Sequence, residues 1–206
     1  MNFEEWEPIY QEILDDFGFD RSKDEEAARL LSKLIGNRSL NVQRLSELIY
    51  RRHVIICGNA PLLEEELRSI DVSDRVVMAA DGATSVLLKN GIVPDIVVTD
   101  LDGCMEDIIS ADRLGSVIVV HAHGDDIPAM KQYVPSLNNV IGSTQSVPLK
   151  NVHNFGGFTD GDRCVFLAKE FGAESIALIG FDFEDSNVSE VKQKKLQWAK
   201  KLISEF

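Results

Sequence analysis

Apolar residues recur every three or four positions at the start of the chain, through Trp6, Ile9, Tyr10, Ile13, Leu14 and Phe17, and Gly18 follows as a stop. That period predicts a helix. A second helix is expected where Ser22 and Glu25 have capping-box spacing ahead of Ala27, Leu30, Leu31, Leu34 and Ile35, with Gly36 ending it. A third covers about residues 42–50 through Val42, Leu45, Leu48 and Ile49. Residues 1–50 thus read as a small helical N-terminal segment, either a cap or an appendage through which two copies associate.

From residue 51 onward the period changes to short apolar runs alternating with helical stretches. The runs are Val54–Cys57, Val76–Ala80, Ile96–Thr99, Val117–Val120 and Ile176–Ile179, with weaker ones at residues 139–141 and around Val152. Helices are expected at 62–69, after Asp81-Gly82, after Asp102-Gly103, at 127–134, from Thr159 to Phe171 and over the tail. Runs of β-branched residues that are apolar on both faces suit strands of a covered parallel sheet. The expected fold for residues 51–206 is therefore α/β: an open, doubly wound, mainly parallel sheet with helices on both faces.

Charge sharpens this picture. The chain has 206 residues, with 21 Lys+Arg against 34 Asp+Glu and a net charge of −13. Such a balance disfavours binding to a nucleic-acid backbone. No apolar run approaches a membrane span, and the acidic N-terminus lacks the pattern of a signal peptide, so a cytoplasmic protein is expected. Cys57, Cys104 and Cys164 are scattered, without metal-ligand spacing, and read as small buried residues.

The acids concentrate where the fold would use them. Asp81, Asp100, Asp102, Asp125, Asp126 and Asp182 each follow a predicted strand, and Asp160 and Asp162 follow a glycine turn. Ligands of open parallel sheets bind at the carboxyl ends of the strands. A row of carboxylates there repels itself unless a divalent cation neutralises it, and oxygen-only ligands suit Mg²⁺. Asp100 and Asp102 lie two apart; an extended backbone would point both to one side, where they can share a metal. Gly58-Asn59 and Gly156-Gly157 sit before helix starts, where free N–H groups can receive phosphate. The nearby bases are few, mainly Arg163, Lys131 and Lys150. His121 and His123 flank one residue at a strand end and suit substrate hydrogen bonding or packing before zinc.

Four blocks occur in order: Ala80–Thr84, Pro94–Gly103, His121–Asp126 and Asn154–Arg163. Together they resemble the archaeal 6-hydroxymethyl-7,8-dihydropterin diphosphokinase family, related in fold to thiamine pyrophosphokinase, over about residues 50–185. The thiamine enzymes differ at Thr99–Gly103 and at Arg163-Cys164. A more distant branch is linked to flagellin glycosylation. The resemblance implies transfer of diphosphate from ATP to the hydroxymethyl group of a pterin alcohol, releasing AMP, with Mg²⁺ as cofactor. The alternatives are a thiamine pyrophosphokinase and a metal-dependent glycosyltransferase. Under this reading Asp81, Asp100 and Asp102 hold metal, and Asp125 or Asp126 accepts the hydroxyl proton. Gly58, Asn59, Gly156, Gly157, Thr159 and Arg163 meet the nucleotide. His121, His123, Asp125, Phe155 and Phe158 meet the pterin.

Overall fold

In the computed structural model, which describes residues 2–205, the first two helices are α1 (Phe3–Phe17) and α2 (Arg21–Ile35). Asn2 and Glu5 form a capping box that starts α1, and Gly18, at φ 67°, ends it in the left-handed conformation. Helix α2 is not capped by Ser22 with Glu25. Asp20 precedes them in an extended conformation, its carboxylate accepts the Ser22 N–H, and the Ser22 hydroxyl is itself spent on Asp20. Helix α3 spans Gln43–Ile49.

Strands and helices then alternate: β1 (His53–Cys57), α4 (Leu63–Leu67), β2 (Val76–Ala80), α5 (Ala83–Lys89), β3 (Ile96–Thr99), α6 (Met105–Arg113), β4 (Val117–Ala122), α7 (Ile127–Tyr133), β5 (Val140–Thr144), β6 (Val152–His153), α8 (Asp160–Glu170), β7 (Ser175–Ile179) and α9 (Glu190–Glu205). The seven strands lie in the order β6-β5-β4-β3-β2-β1-β7, and every neighbouring pair is parallel. The chain steps outward from β1 to β6, then returns to place β7 on the other side of β1. The strand order therefore reverses between β1 and β7, the place where such sheets open a crevice. Strand β5 runs on to Thr144, past the apolar Ile141, because Ser143 and Thr144 are buried against neighbouring groups instead of facing water.

The strand side chains alternate between two cores. Ile55, Cys57, Val77, Ala79, Val97, Ile118 and Val120 pack beneath α2, α4, α5, α6 and α7. Val54, Ile56, Met78, Val98 and Val119 pack beneath α3 and α8. Each fully buried Ile or Val side chain contributes about 1.5–3 kcal/mol, so both sheet faces must be covered for the strands to persist. The N-terminal helices supply part of that cover and are no free-standing appendage. Ala27, Ala28, Leu31 and Ile35 of α2 are buried in the first core, and Leu45 and Ile49 of α3 in the second. Trp6, Tyr10, Ile13 and Leu14 of α1 form a third cluster with Phe158, Phe166 and Leu202. Of the cysteines, Cys57 and Cys164 are buried, whereas Cys104 is exposed in the turn before α6.

Candidate active site

Asp81 follows β2 at φ 40°, a left-handed conformation uncommon for a residue with a side chain. Its carboxylate accepts a hydrogen bond from the Thr99 hydroxyl, and that hydroxyl also accepts the Leu101 N–H at 2.8 Å. The backbone after β3 is not extended. Leu101 sits at φ 70° and buries its side chain, so Asp100 and Asp102 are brought to one side by a turn. Gly103 is required beside them, since a Cβ there would stand 2.2 Å from an Asp81 carboxylate oxygen. The outcome is that Asp81, Asp100 and Asp102 each offer an oxygen within 4.8 Å of the others.

Asp100 also carries a buried Oδ1 with no hydrogen-bond partner. Burial, then the charges of Asp102 and Asp100, push the Asp81 carboxyl up to about 7. Burial and Asp102 raise Asp100 likewise. Three converging carboxylates, oxygen donors only, with one oxygen orphaned, fit a hard divalent cation such as Mg²⁺. Two further acids feel this field. Asp126, whose Oδ2 has no partner, is pushed up to about 7 by burial and then by Asp100. Asp160 at the start of α8 is raised well above the usual carboxylate range by burial, then by Asp100 and Asp81.

Asp81, Asp100, Asp102 and Asp160 border a cavity of about 370 Å³ along the carboxyl ends of the strands, reaching to the β1/β7 reversal, whereas Asp126 is not among the residues that line it. Gly58 and Asn59 line it after β1, Gly180 and Phe181 after β7, and Phe158, Thr159 and Asp160 at the head of α8. Gly58 and Gly180 face one another closely: a Cβ on Gly58 would stand 2.4 Å from the Gly180 carbonyl oxygen. His121 and His123 line the cavity from the end of β4, and Gln145 from the end of β5.

The two histidines differ. The Arg163 guanidinium donates to His121 Nε2 at 3.1 Å, so His121 is neutral and its Nδ1–H faces the Ser143 hydroxyl at 3.1 Å. Burial and Arg163 hold its pKa well below the usual imidazole value. Both ring nitrogens are engaged within the protein, which leaves His121 no hydrogen bond to offer a substrate. His123 instead meets the buried Asp24 of α2, Nδ1 to Oδ1 at 3.0 Å. Burial opposes its charge, but the Asp24 contact and the charges of Asp126 and Asp125 outweigh that and raise its pKa. Asp24 is fixed in turn by the Tyr10 hydroxyl, the Gln145 amide and the Gly124 N–H, at 2.7, 2.7 and 2.9 Å.

Several expected residues lie elsewhere. Arg163 is buried, donating to the carbonyls of Gly156 and Phe158 and to His121, so it braces the loop and does not face the cavity. Gly156 and Gly157, at φ 79° and 88°, pack against Phe166 and Arg163, where added Cβ atoms would come within 2.7 and 2.6 Å. Their glycine character serves this packing. Phe155 belongs to the core beside α8, against Phe171. Asp125 is exposed outside the cavity lining. Asp162 turns inward to accept hydrogen bonds from Phe158 N and Thr159 N as the helix cap. The sequence reading missed Gln145 and Asp24. It also missed Lys192 and Lys195 of α9, which line the same cavity as the acids. Only the tail's five lysines against two acids over residues 187–206 could have pointed there.

Comparison with known proteins places this arrangement. The chain is 44 % identical to the 6-hydroxymethyl-7,8-dihydropterin pyrophosphokinase of Methanocaldococcus jannaschii, across 99 % of this chain and 95 % of that one. It is 45 % identical to the Methanothermobacter thermautotrophicus protein of the same name (98 % and 94 %) and 42 % identical to that of Pyrococcus furiosus (98 % and 93 %). Among solved structures, a Maf glycosyltransferase from Magnetospirillum magneticum aligns with TM-score 0.49 and 16 % identity, over 68 % of this chain and 24 % of the other. The profile described as 6-hydroxymethylpterin diphosphokinase MptE-like matches residues 28–188, and with these full-length relatives it follows that the chain belongs to the MptE-like family.

Proposed function

We propose that this protein transfers diphosphate from ATP to the hydroxymethyl group of 6-hydroxymethyl-7,8-dihydropterin, with AMP as the leaving product and Mg²⁺ held by Asp81, Asp100 and Asp102. The convergence of those three carboxylates at the carboxyl edge of a parallel sheet carries the reading. The names of the archaeal relatives support the acceptor.

The bond formed joins the pterin oxygen to the β-phosphorus, and the bond broken joins that phosphorus to the oxygen kept by AMP. Such a transfer needs positioning and charge compensation more than covalent help. When bound, Mg²⁺ supplies compensation for the polyphosphate oxygens. The protein's own residues do the rest. Gly58 and Gly180 bring backbone close enough for a nucleotide to lie across the strand-order reversal. Phe158 presents ring surface at the cavity wall, suited to a flat heterocycle. Asp126, whose buried Oδ2 has no partner and whose carboxyl is pushed up to about 7, takes up the hydroxyl proton from just outside the residues that line the cavity.

The test is AMP release from ATP in the presence of the dihydropterin alcohol, with thiamine as the competing acceptor. AMP formation with the pterin and none with thiamine is expected; AMP from thiamine alone would overturn the reading. Asp100→Asn should lower turnover at least about a thousandfold while leaving the circular dichroism spectrum unchanged. A variant with full activity removes the metal role.

A further inference from the structure

Helix α9 carries five lysines, and they are not equivalent. Lys194, Lys200 and Lys201 are each tied to a carboxylate, at Asp16 (2.7 Å), Glu184 (2.6 Å) and Glu12 (3.5 Å). Lys192 and Lys195 have no ion pair among the described residues, and these two are the ones that line the cavity. One turn apart on a helix, residues three positions from each other share a face. The same cavity is lined by Asp81, Asp100 and Asp102. Lys195 also lies over the Phe158 ring, 6.0 Å from its centroid, at the same wall. Its charge reaches Asp100, where it opposes the rise caused by burial and Asp102.

Two ammonium groups with no ion pair among the described residues, lining the same cavity as a carboxylate triad, call for an occupant that satisfies both sets of charges. A cation alone would satisfy the acids and repel the lysines. A free anion would do the reverse. A polyphosphate carrying a divalent cation satisfies both.

We infer that Lys192 and Lys195 form the second wall of a polyphosphate site, gripping the β- and γ-phosphate oxygens from α9 while the triad holds the metal side. This rests on the diphosphotransferase reading and deepens it. The phosphates gripped are the pair that leaves with the acceptor, so both lysines stay with the transferred group while AMP departs. Lys131 and Lys150, which the sequence puts among the few bases near the glycine loops, are absent from the cavity lining.

The experiment uses the full chain and titration calorimetry with Mg²⁺ and inorganic triphosphate, then with Mg²⁺ and α,β-methylene-ATP, a nucleotide that cannot be cleaved at the bond in question. Lys192→Gln and Lys195→Gln should each weaken binding of both probes about tenfold, the worth of one charge-assisted hydrogen bond. Binding of AMP, which lacks both outer phosphates, should change less than twofold. Lys201→Gln alters net charge equally on the same helix and should leave all three affinities unchanged. Lys195→Arg should restore most of the loss. Equal binding of triphosphate by wild type and both glutamine variants would overturn the inference, as would no binding by the wild type. Failure of the diphosphotransferase reading shows separately, as wild-type protein that binds triphosphate but releases no AMP with the pterin.

Discussion

At the scale of single residues, the site is a problem of crowding between like charges. Asp81 and Asp126 are each pushed up to about 7, first by burial and then by neighbouring carboxylates, and Asp100 is raised in the same way. A carboxyl raised in the fold stabilises it fully while protonated, below the ordinary carboxylate range, and that stability drains away as pH climbs through the folded value. Metal-free protein is therefore expected to lose thermal stability between about pH 4 and pH 7. Mg²⁺ should raise the melting temperature by several degrees at pH 8 and by little at pH 5, as differential scanning fluorimetry will read. Equal Mg²⁺ effects at both values would contradict the triad as a cation site. Gly103 offers a test by size alone. Gly103→Ala puts a methyl group where the Asp81 carboxylate sits, 2.2 Å away. We expect Mg²⁺ affinity to fall at least about tenfold with little change in the folded spectrum.

The elements show which parts of this arrangement can be read from a sequence. Strands β1 to β4 were legible because each centres on a buried apolar run, and the acids after β2, β3 and β4 followed directly. That Asp100 and Asp102 converge was legible; the means was not, because the left-handed turn at Leu101 depends on the Thr99 hydroxyl and on a leucine socket in the core. Arg163 misled because a cation one turn into a helix after a glycine pair looks poised for phosphate, while packing of α8 turns it inward. Lys192 and Lys195 were hidden because a lysine-rich amphipathic helix reads as a solvated face. Asp24 was hidden likewise, since an acid in the first turn of α2 already has a reason to be there in the helix dipole. Yet α2 reaches across to the end of β4 through that residue. In Asp24→Asn, His123 loses the largest influence that offsets its burial. Its imidazole pKa, followed by NMR, is expected to fall below that of the wild type.

For the molecule as a whole, the sheet order explains why the cavity sits where it does. The chain builds β1 to β6 outward in sequence and only afterwards adds β7 at the other edge, beside β1, with His53 pairing to Ser175 and Cys57 to Ile179. Until β7 docks, β1 is an edge strand with one bare flank, an open ladder of donors and acceptors that another copy could occupy. Docking of β7 closes this flank, and the same move delivers the Gly180 wall and, through α9, the lysines. During synthesis, covering β1 and completing the cavity thus both wait on the C-terminal stretch, and a nascent chain short of residue 175 has neither.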